Sequence, residues 1–386
     1  MGRCYGMAAH RRGERYAAPM PEQSGLPVPP RASFEPTLPD DPNLINLADY
    51  ERVAAEQLAP GPLAYFTGGA GDEVTLRDNR AAFGRQAIVP RVMRDVSTVD
   101  TSVEILGRRW PSPIWIAPTA LQRMAHPDGE LATARAAAAR GVTMAVSTSA
   151  SSDVADIAAV GGPRWFQVYL LADSGARRAL VERAVTNGYE ALVLTADLAR
   201  IGRRERDLRI GFRIPEGVDI PNVAIAAGVS PDDVASVAFT DRLTWPDLEW
   251  LAGFGLPVIV KGILHPDDAA LAIEHGAAGI GVSNHGGRQL DSAIASLDAL
   301  PGIVEVVDGR VPVLLDGGVR RGTDVLMAMA MGATAVGIGR PVIWGLAVDG
   351  ETGVGNVLDL LRAELENAMA LSGAASCADL TPELLA

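Results

Sequence analysis

"PVLLDGGVRRGTDVLMAMAMGATAVGIGRP", residues 312–341, carries the pattern on which the fold turns. A short apolar run ends in Asp-Gly-Gly. A polar turn then opens a stretch rich in alanine and methionine, and a second apolar run ends in Gly-Arg-Pro. Short apolar runs bounded by glycine read as buried strands, and the stretch between them has the length and composition of a helix. Strand, helix and strand in that order form one parallel βα unit and the start of the next.

The same rhythm runs upstream through "PIWIAP" (113–118), "TMAVST" (143–148), "RWFQVYL" (164–170) and "ALVLTAD" (191–197). It continues through "PVIVKG" (257–262) and "GIGVSN" (279–284) to "PVLLDGG" (312–318) and "AVGIGR" (335–340). Segments of helical period, such as "DGELATARAAAARG" and "PDDAALAIEHGAAG", separate most of them. Eight buried strands alternating with helices is the number that closes a (β/α)8 TIM barrel. No GxGxxG follows the first strand, which argues against an open dinucleotide-binding sheet. The expected organisation is a single α/β domain over residues 43–386, with a lid-like loop at about 206–243.

The first 42 residues differ in kind. They begin basic and continue rich in proline and polar residues, without the apolar stretch of a secretory signal. They read as a disordered Pro-rich tail, or as partly a misplaced start with Met7 or Met20 as the true one. The whole chain of 386 residues carries 34 basic and 47 acidic side chains, a net charge of −13. That balance disfavours nucleic acid or an anionic membrane as partner. Two cysteines, Cys4 and Cys377, imply no disulfide framework and fit a reducing cytoplasm. No apolar run is long enough to span a membrane.

In a barrel, chemistry collects where strands end and βα loops begin. Those positions hold Pro118, Thr119, Ser147, Gln167, Tyr169, Thr195, Asp197, Lys261, Ser283, His285, Asp316 and Arg340. Any one has a bland explanation: Asp197 could cap a helix, and Lys261 could be a rim charge. Polar groups at all eight strand ends do not fit a purely structural core. The two glycine-rich turns "DGGVRRG" (316–322) and "GIGRP" (337–341) each open a helix, which suits an anion held by backbone N–H groups and arginine. Phosphate habitually binds at this place in a barrel, so a phosphorylated cofactor is expected there. No His/Asp/Glu cluster has metal spacing, and "STSASS" (147–152) lacks a nucleophile elbow. His126 reads as structural, and His265 and His275 read as surface residues flanking a helix.

From about Leu44 to Leu380 the chain resembles the FMN-dependent 2-hydroxy acid oxidases and dehydrogenases, such as glycolate oxidase, lactate oxidase and mandelate dehydrogenase. The motifs are "IAPTALQRMAHPDGE", "FQVY", "LTAD", "GRRERD", "VKG", "SNHGGRQLD", "LDGGVRRGTDV" and "GIGRP". Residues 203–208, residues 283–294 and "GETGVGNVLDLLRAEL" look most like the mandelate dehydrogenase branch. The resemblance implies FMN as cofactor and a homotetramer as the assembly. It leaves oxygen, a quinone or another protein open as electron acceptor.

It also implies roles that the chemistry makes sensible. His285 matches the active-site base and Asp197 its carboxylate partner, which favours the imidazolium once a proton is taken. Arg288 matches the carboxylate clamp, for which a guanidinium offers two parallel hydrogen bonds. Tyr65 and Arg204 match further groups at the substrate, and Tyr169 matches the partner of its hydroxyl. Lys261 matches a lysine beside the flavin ring. By the same resemblance Pro118, Thr119, Ala120, Ser147, Gln167, Thr195 and Ser283 line the ring and ribityl chain. Asp316, Gly317, Gly318, Arg320, Gly339 and Arg340 take the ribityl and phosphate end.

Three departures stand out: the amino-terminal extension, the lack of a long membrane-binding insertion after the fourth strand, and Ser149 where glycolate oxidases carry a tryptophan. The small residue enlarges the pocket and points to an (S)-2-hydroxy acid with an aryl or medium-sized side chain, mandelate-like rather than glycolate. (S)-Lactate is the alternative. A non-redox FMN isomerase on the same barrel is the alternative of another class, and it has no use for Tyr65, Tyr169, His285 and Arg288 together. A catalytically silent flavin-binding scaffold is a third.

Overall fold

The structure is a computed structural model that describes residues 43–386. The expectations of a disordered tail over residues 1–42 and of its start codon lie outside the described residues. A hairpin of β1 (Val103–Ile105) and β2 (Arg108–Trp110) precedes eight short strands. These are β3 (Ile114–Ile116), β4 (Met144–Ser147), β5 (Arg164–Val168), β6 (Leu192–Thr195), β7 (Val258–Ile263), β8 (Gly279–Val282), β9 (Val313–Asp316) and β10 (Ala335–Ile338). All eight are parallel, and β10 pairs back onto β3, Val336 opposite Ile114, so the sheet closes into the expected TIM barrel. Most observed strands are shorter than the apolar runs that announced them. Tyr169, Asp197, Asn284 and Arg340 lie past the strand ends, whereas Ser147, Thr195, Lys261 and Asp316 still belong to the strands.

Burial on both faces explains why these strands read as continuous apolar runs rather than as alternating ones. Inside, Trp115, Trp165, Ala145, Val193, Ile259 and Leu314 fill the barrel. Gly337 is required there, because a Cβ on it would lie 2.9 Å from the Trp115 indole. Trp110 of the hairpin stacks obliquely on Trp165, with ring centroids 5.3 Å apart, so β1–β2 plug the amino-terminal end of the barrel. Outside, helices pack small residues onto the strands, as Gly129–Arg140 does with Ala132, Ala136 and Ala137. With the bottom plugged, the site must lie at the other end.

The long connection after β6 holds helices Glu205–Arg209 and Pro221–Ala227 and a 3-10 turn at Pro231–Ser236. Its return limb is tied down beside the end of β5. Ala172 N donates to Ala238 O at 2.9 Å, and Thr240 N donates to Leu170 O at 2.8 Å. Loops this long in a compact barrel are commonly functional.

Candidate active site

A cavity of about 890 Å3, its open mouth included, lies at the carboxyl-terminal ends of the barrel strands. Two aromatics of the long connection after β6 pack on two of its wall tyrosines. Phe212 stacks on Tyr65 with centroids 5.1 Å apart, and Phe239 meets Tyr169 edge-on at 5.6 Å. Neither contact was read from the sequence, since nothing local signals which loop phenylalanine folds back over the barrel.

His285 follows β8 in a left-handed conformation (φ 60°), a strained choice for a non-glycine residue. The strain points its ring at the cavity wall while Nδ1 meets Asp197 at 3.2 Å from Oδ1 and 3.3 Å from Oδ2. Burial lowers the pKa of His285, and Asp197 offsets part of that loss. The lowered value favours the neutral imidazole, and a carboxylate stands ready to support its cation. Burial alone would raise the pKa of Asp197. The charge and hydrogen bond of His285, with Lys261 further off, reverse this and keep it below the ordinary carboxylate value. Asp197 itself lies behind His285, off the cavity wall.

Opposite stand two arginines. Arg288 donates from one Nη to the carbonyls of Tyr65 and Gly68, and its guanidinium lies 4.8 Å from the centroid of the Tyr65 ring. Burial, and then the neighbouring Arg204, pull its pKa down to about 10, so it stays charged at neutral pH. Arg204 lies 6.0 Å from the same ring centroid, and its Nε is buried without a hydrogen-bond partner. A guanidinium nitrogen buried without a partner beside a second cation calls for an anion. Burial also pushes the Tyr169 hydroxyl well above its ordinary pKa, so it is a proton donor rather than a phenolate.

Deeper, Lys261 of β7 is buried and contacts Asp316 at 3.1 Å and Ser283 Oγ at 2.7 Å, while Ser283 donates to Asp316 at 2.6 Å. Pro118, Thr119, Ala120 and Ser147 also stand on the wall. Gln167 and Thr195 lie one layer below it. Ser147 Oγ donates to Gln167 Oε1 at 3.1 Å, and Gln167 Nε2 donates to Thr195 Oγ1 at 3.0 Å. Ser149 is half-buried on the turn after β4, and its short side chain is not part of the wall.

At the far end the wall consists of Gly317, Gly318, Arg320, Gly339 and Arg340. Arg340 donates to the carbonyls of Phe66, Gly286 and Gly68 at 2.9, 3.0 and 2.8 Å. Burial lowers its pKa, and so do the charges of Arg288 and Arg320. Arg320 lies 4.5 Å from the Trp344 ring centroid, with Nε buried and unpartnered. Gly339 caps the helix Arg340–Ser372, whose start has no side-chain cap. Buried arginines and free helix N–H groups fit a phosphate. Gly318 has a different reason to be glycine, since a Cβ there would fall 2.1 Å from the Asn79 carbonyl oxygen.

The sequence reading missed the apolar wall of Phe66, Val319, Ile338 and Ile343. It also missed Glu130, a fully buried carboxylate that accepts from Gln122 N, Ser151 N, Ser151 Oγ and Ser152 Oγ at 2.7–3.1 Å. Glu130 ties the loop after β3 to the turn after β4. A charged residue amid the alanines of residues 128–141 was the available signal. His126 packs against Gly350 at the break in the last helix, and His265 caps helix Pro266–Glu274 through Asp267 N.

The family model described as FMN-dependent dehydrogenase matches residues 54–386. An L-lactate oxidase of Nostoc sp. is 48% identical over 356 residues, covering 88% of this chain and 98% of that protein. Glycolate oxidase 1 of Oryza sativa subsp. indica is 45% identical, covering 88% and 94%. Among solved structures, a mandelate oxidase variant with (S)-mandelic acid superposes at a TM-score of 0.83 with 43% identity, covering 89% and 98%. A lactate oxidase of Pediococcus acidilactici superposes at 0.84 with 40% identity, covering 88% and 94%. The arginines and glycine-rich turns at the far end of the cavity suit the phosphate of a phosphorylated flavin. The chain belongs to the FMN-dependent dehydrogenase family and is an FMN-using oxidoreductase of the 2-hydroxy acid oxidase kind.

Proposed function

We propose that this enzyme oxidises an (S)-2-hydroxy acid with an aryl or medium-sized side chain to the 2-oxo acid, mandelate being the first candidate. The observation that carries the reaction is the carboxylate-backed His285 sharing one cavity with Arg204, whose Nε is unpartnered, and the Arg288 clamp. Arg288 and Arg204 take the substrate carboxylate, with Tyr65 between them and the wall. Tyr169 donates a hydrogen bond to the substrate oxygen. His285 accepts the proton released as C2 is oxidised, and Asp197 stabilises the resulting imidazolium. Lys261 would offer a positive charge to the cofactor ring, and Arg320 and Arg340 would hold its phosphate end. FMN, when bound, supplies the electron sink.

Preference for a larger side chain is supported by Ser149, which puts no bulk into the cavity, and by the apolar Phe66, Ile338 and Ile343 on its wall. Each buried methylene contributes roughly 0.8 kcal/mol. A second reading, (S)-lactate, is favoured by the 48% identity to a lactate oxidase. Comparing kcat/KM for glycolate, (S)-lactate and (S)-mandelate separates them, and glycolate as the best substrate would refute the pocket argument. Ser149→Trp should depress turnover of mandelate far more than that of glycolate. Oxygen as acceptor is supported by the oxidase relatives and is tested by mixing reduced enzyme with oxygen. A homotetramer, suggested by family resemblance, is tested by sedimentation.

The pH dependence has a definite sign. Because the pKa of His285 is lowered, the base is present at neutral pH, and kcat/KM should fall only as pH drops through a value below 6.5. Asp197→Asn removes the charge that supports the imidazolium. The acid limb should move to still lower pH while the plateau falls about 10²-fold. An unmoved limb would remove Asp197 from the account. Arg340→Ala should weaken FMN retention about tenfold or more, read by titrating apoenzyme with FMN.

A further inference from the structure

One buried side chain with no part in the reading above, Gln289, fastens the loop that carries Asp197 to the turn that carries His285 and Arg288. Its whole amide is spent on that loop. Nε2 donates to Asp197 O at 2.7 Å and Arg200 O at 2.9 Å, while Oε1 accepts from Gly202 N at 3.1 Å. The two segments touch backbone to backbone: a Cβ on Gly202 would lie 2.3 Å from Arg288 O and 2.6 Å from Gln289 O. From the other side, a Cβ on Gly262 of β7 (φ 108°) would lie 2.7 Å from Asp197 Cβ. Asp197 is thus seated between β7 and the turn after β8, and Arg204 leaves the same loop two residues beyond Gly202.

We propose that Gln289 is a positioning residue that latches the 197–204 loop onto the 285–289 turn. It holds Asp197 against His285 and Arg204 beside Arg288. The proposal rests on the reading of His285 as the base. An amide is the side chain that offers two donors and an acceptor to two carbonyls and one N–H, and neither Met nor Glu can replace the donors. Groups acting on the His285 ring are Asp197, which supports its cation, and Lys261 and Arg204, which oppose it. Lys261 sits on β7 and stays when the loop loosens, whereas the support from Asp197 weakens.

The test uses FMN-loaded Gln289→Met and Gln289→Glu. Read-outs are melting temperature, the rate of flavin reduction by the best 2-hydroxy acid across pH, and binding of 2-hydroxy-2-methylpropanoate. That analogue has no C2 hydrogen to lose. Flavin should be retained, and reduction should fall about 10- to 100-fold, the scale of a misplacement near 1 Å. The acid limb should move to lower pH. The Kd of the analogue should rise far less than the rate falls, because Arg288 is anchored through Tyr65 and Gly68 instead. A parent rate and pH profile in Gln289→Met overturns the proposal, as does a slow variant whose acid limb has not moved. If Gln289→Met fails to fold, Gln289→Glu carries the expectation for the rate and for analogue binding, because it keeps the acceptor for Gly202 N, whereas its added charge acts on the His285 ring directly. Loss of FMN from both variants makes the residue a folding element and also overturns the proposal. Normal reduction by His285→Gln beside impaired Gln289→Met counts against the base, whereas the reverse pairing counts against the latch alone.

Discussion

Replacing His285 by glutamine should leave FMN bound and the fold intact while slowing flavin reduction by at least ~10²-fold, the scale of general-base catalysis. The two effects separate because His285 makes no contact with Arg320 or Arg340, whereas its Nδ1 is committed to Asp197. Glutamine keeps polar atoms at the position but cannot accept the proton at neutral pH. The loss should be the same for every 2-hydroxy acid tested, since the base acts on the H–C2–O–H unit that all of them share and not on the side chain. Rapid mixing of oxidised enzyme with substrate in the absence of oxygen reads the step directly. Near-normal reduction would remove His285 from its role.

Arg288→Lys should be comparably damaging despite keeping the charge, with kcat/KM reduced on the order of 10²-fold. The guanidinium is held by the carbonyls of Tyr65 and Gly68 through a single Nη, which leaves its other N–H groups for a two-pronged grip on a carboxylate. An ammonium satisfies those carbonyls or the substrate, but not both in one plane. Stacking over Tyr65 at 4.8 Å is lost as well, and that ring also packs on Phe212 of the connection after β6. The change should therefore raise KM and lower the rate of reduction together. A variant impaired in KM alone would show that Arg288 binds substrate without orienting it.

The barrel was legible because each strand is buried on both faces and so writes itself as an uninterrupted apolar run with glycine at its end. The site was legible because barrel chemistry sits at those ends, where His285, Lys261, Asp316 and Arg340 stand out against apolar neighbours. The hairpin β1–β2 was not. Its turn is Leu106-Gly107, both at positive φ, where Asn-Gly or Asp-Gly would have signalled it, and Leu106 accepts the strain at φ 49°. The proline in "SLDALPGIVEVV" likewise sits inside helix Ser296–Val307, at its sixth residue, without ending it, although it forgoes the bond to the Leu297 carbonyl that an N–H there would make. Phe212 and Phe239 on the two tyrosines were hidden for a different reason. Their partners lie about 150 and 70 residues away along the chain, and only the folded connection after β6 brings them together.

The central claim is that this cavity removes two electrons from a 2-hydroxy acid, and anaerobic reduction of the bound flavin tests it with the fewest assumptions. Oxygen-free enzyme mixed with excess (S)-mandelate, (S)-lactate or glycolate should lose its yellow absorbance, and the matching 2-oxo acid should accumulate one for one with flavin. (S)-Mandelate is predicted to bleach it fastest, and the His285→Gln enzyme should stay yellow on the same time scale. Flavin that remains oxidised with all three acids, in protein shown to hold FMN, would contradict the account.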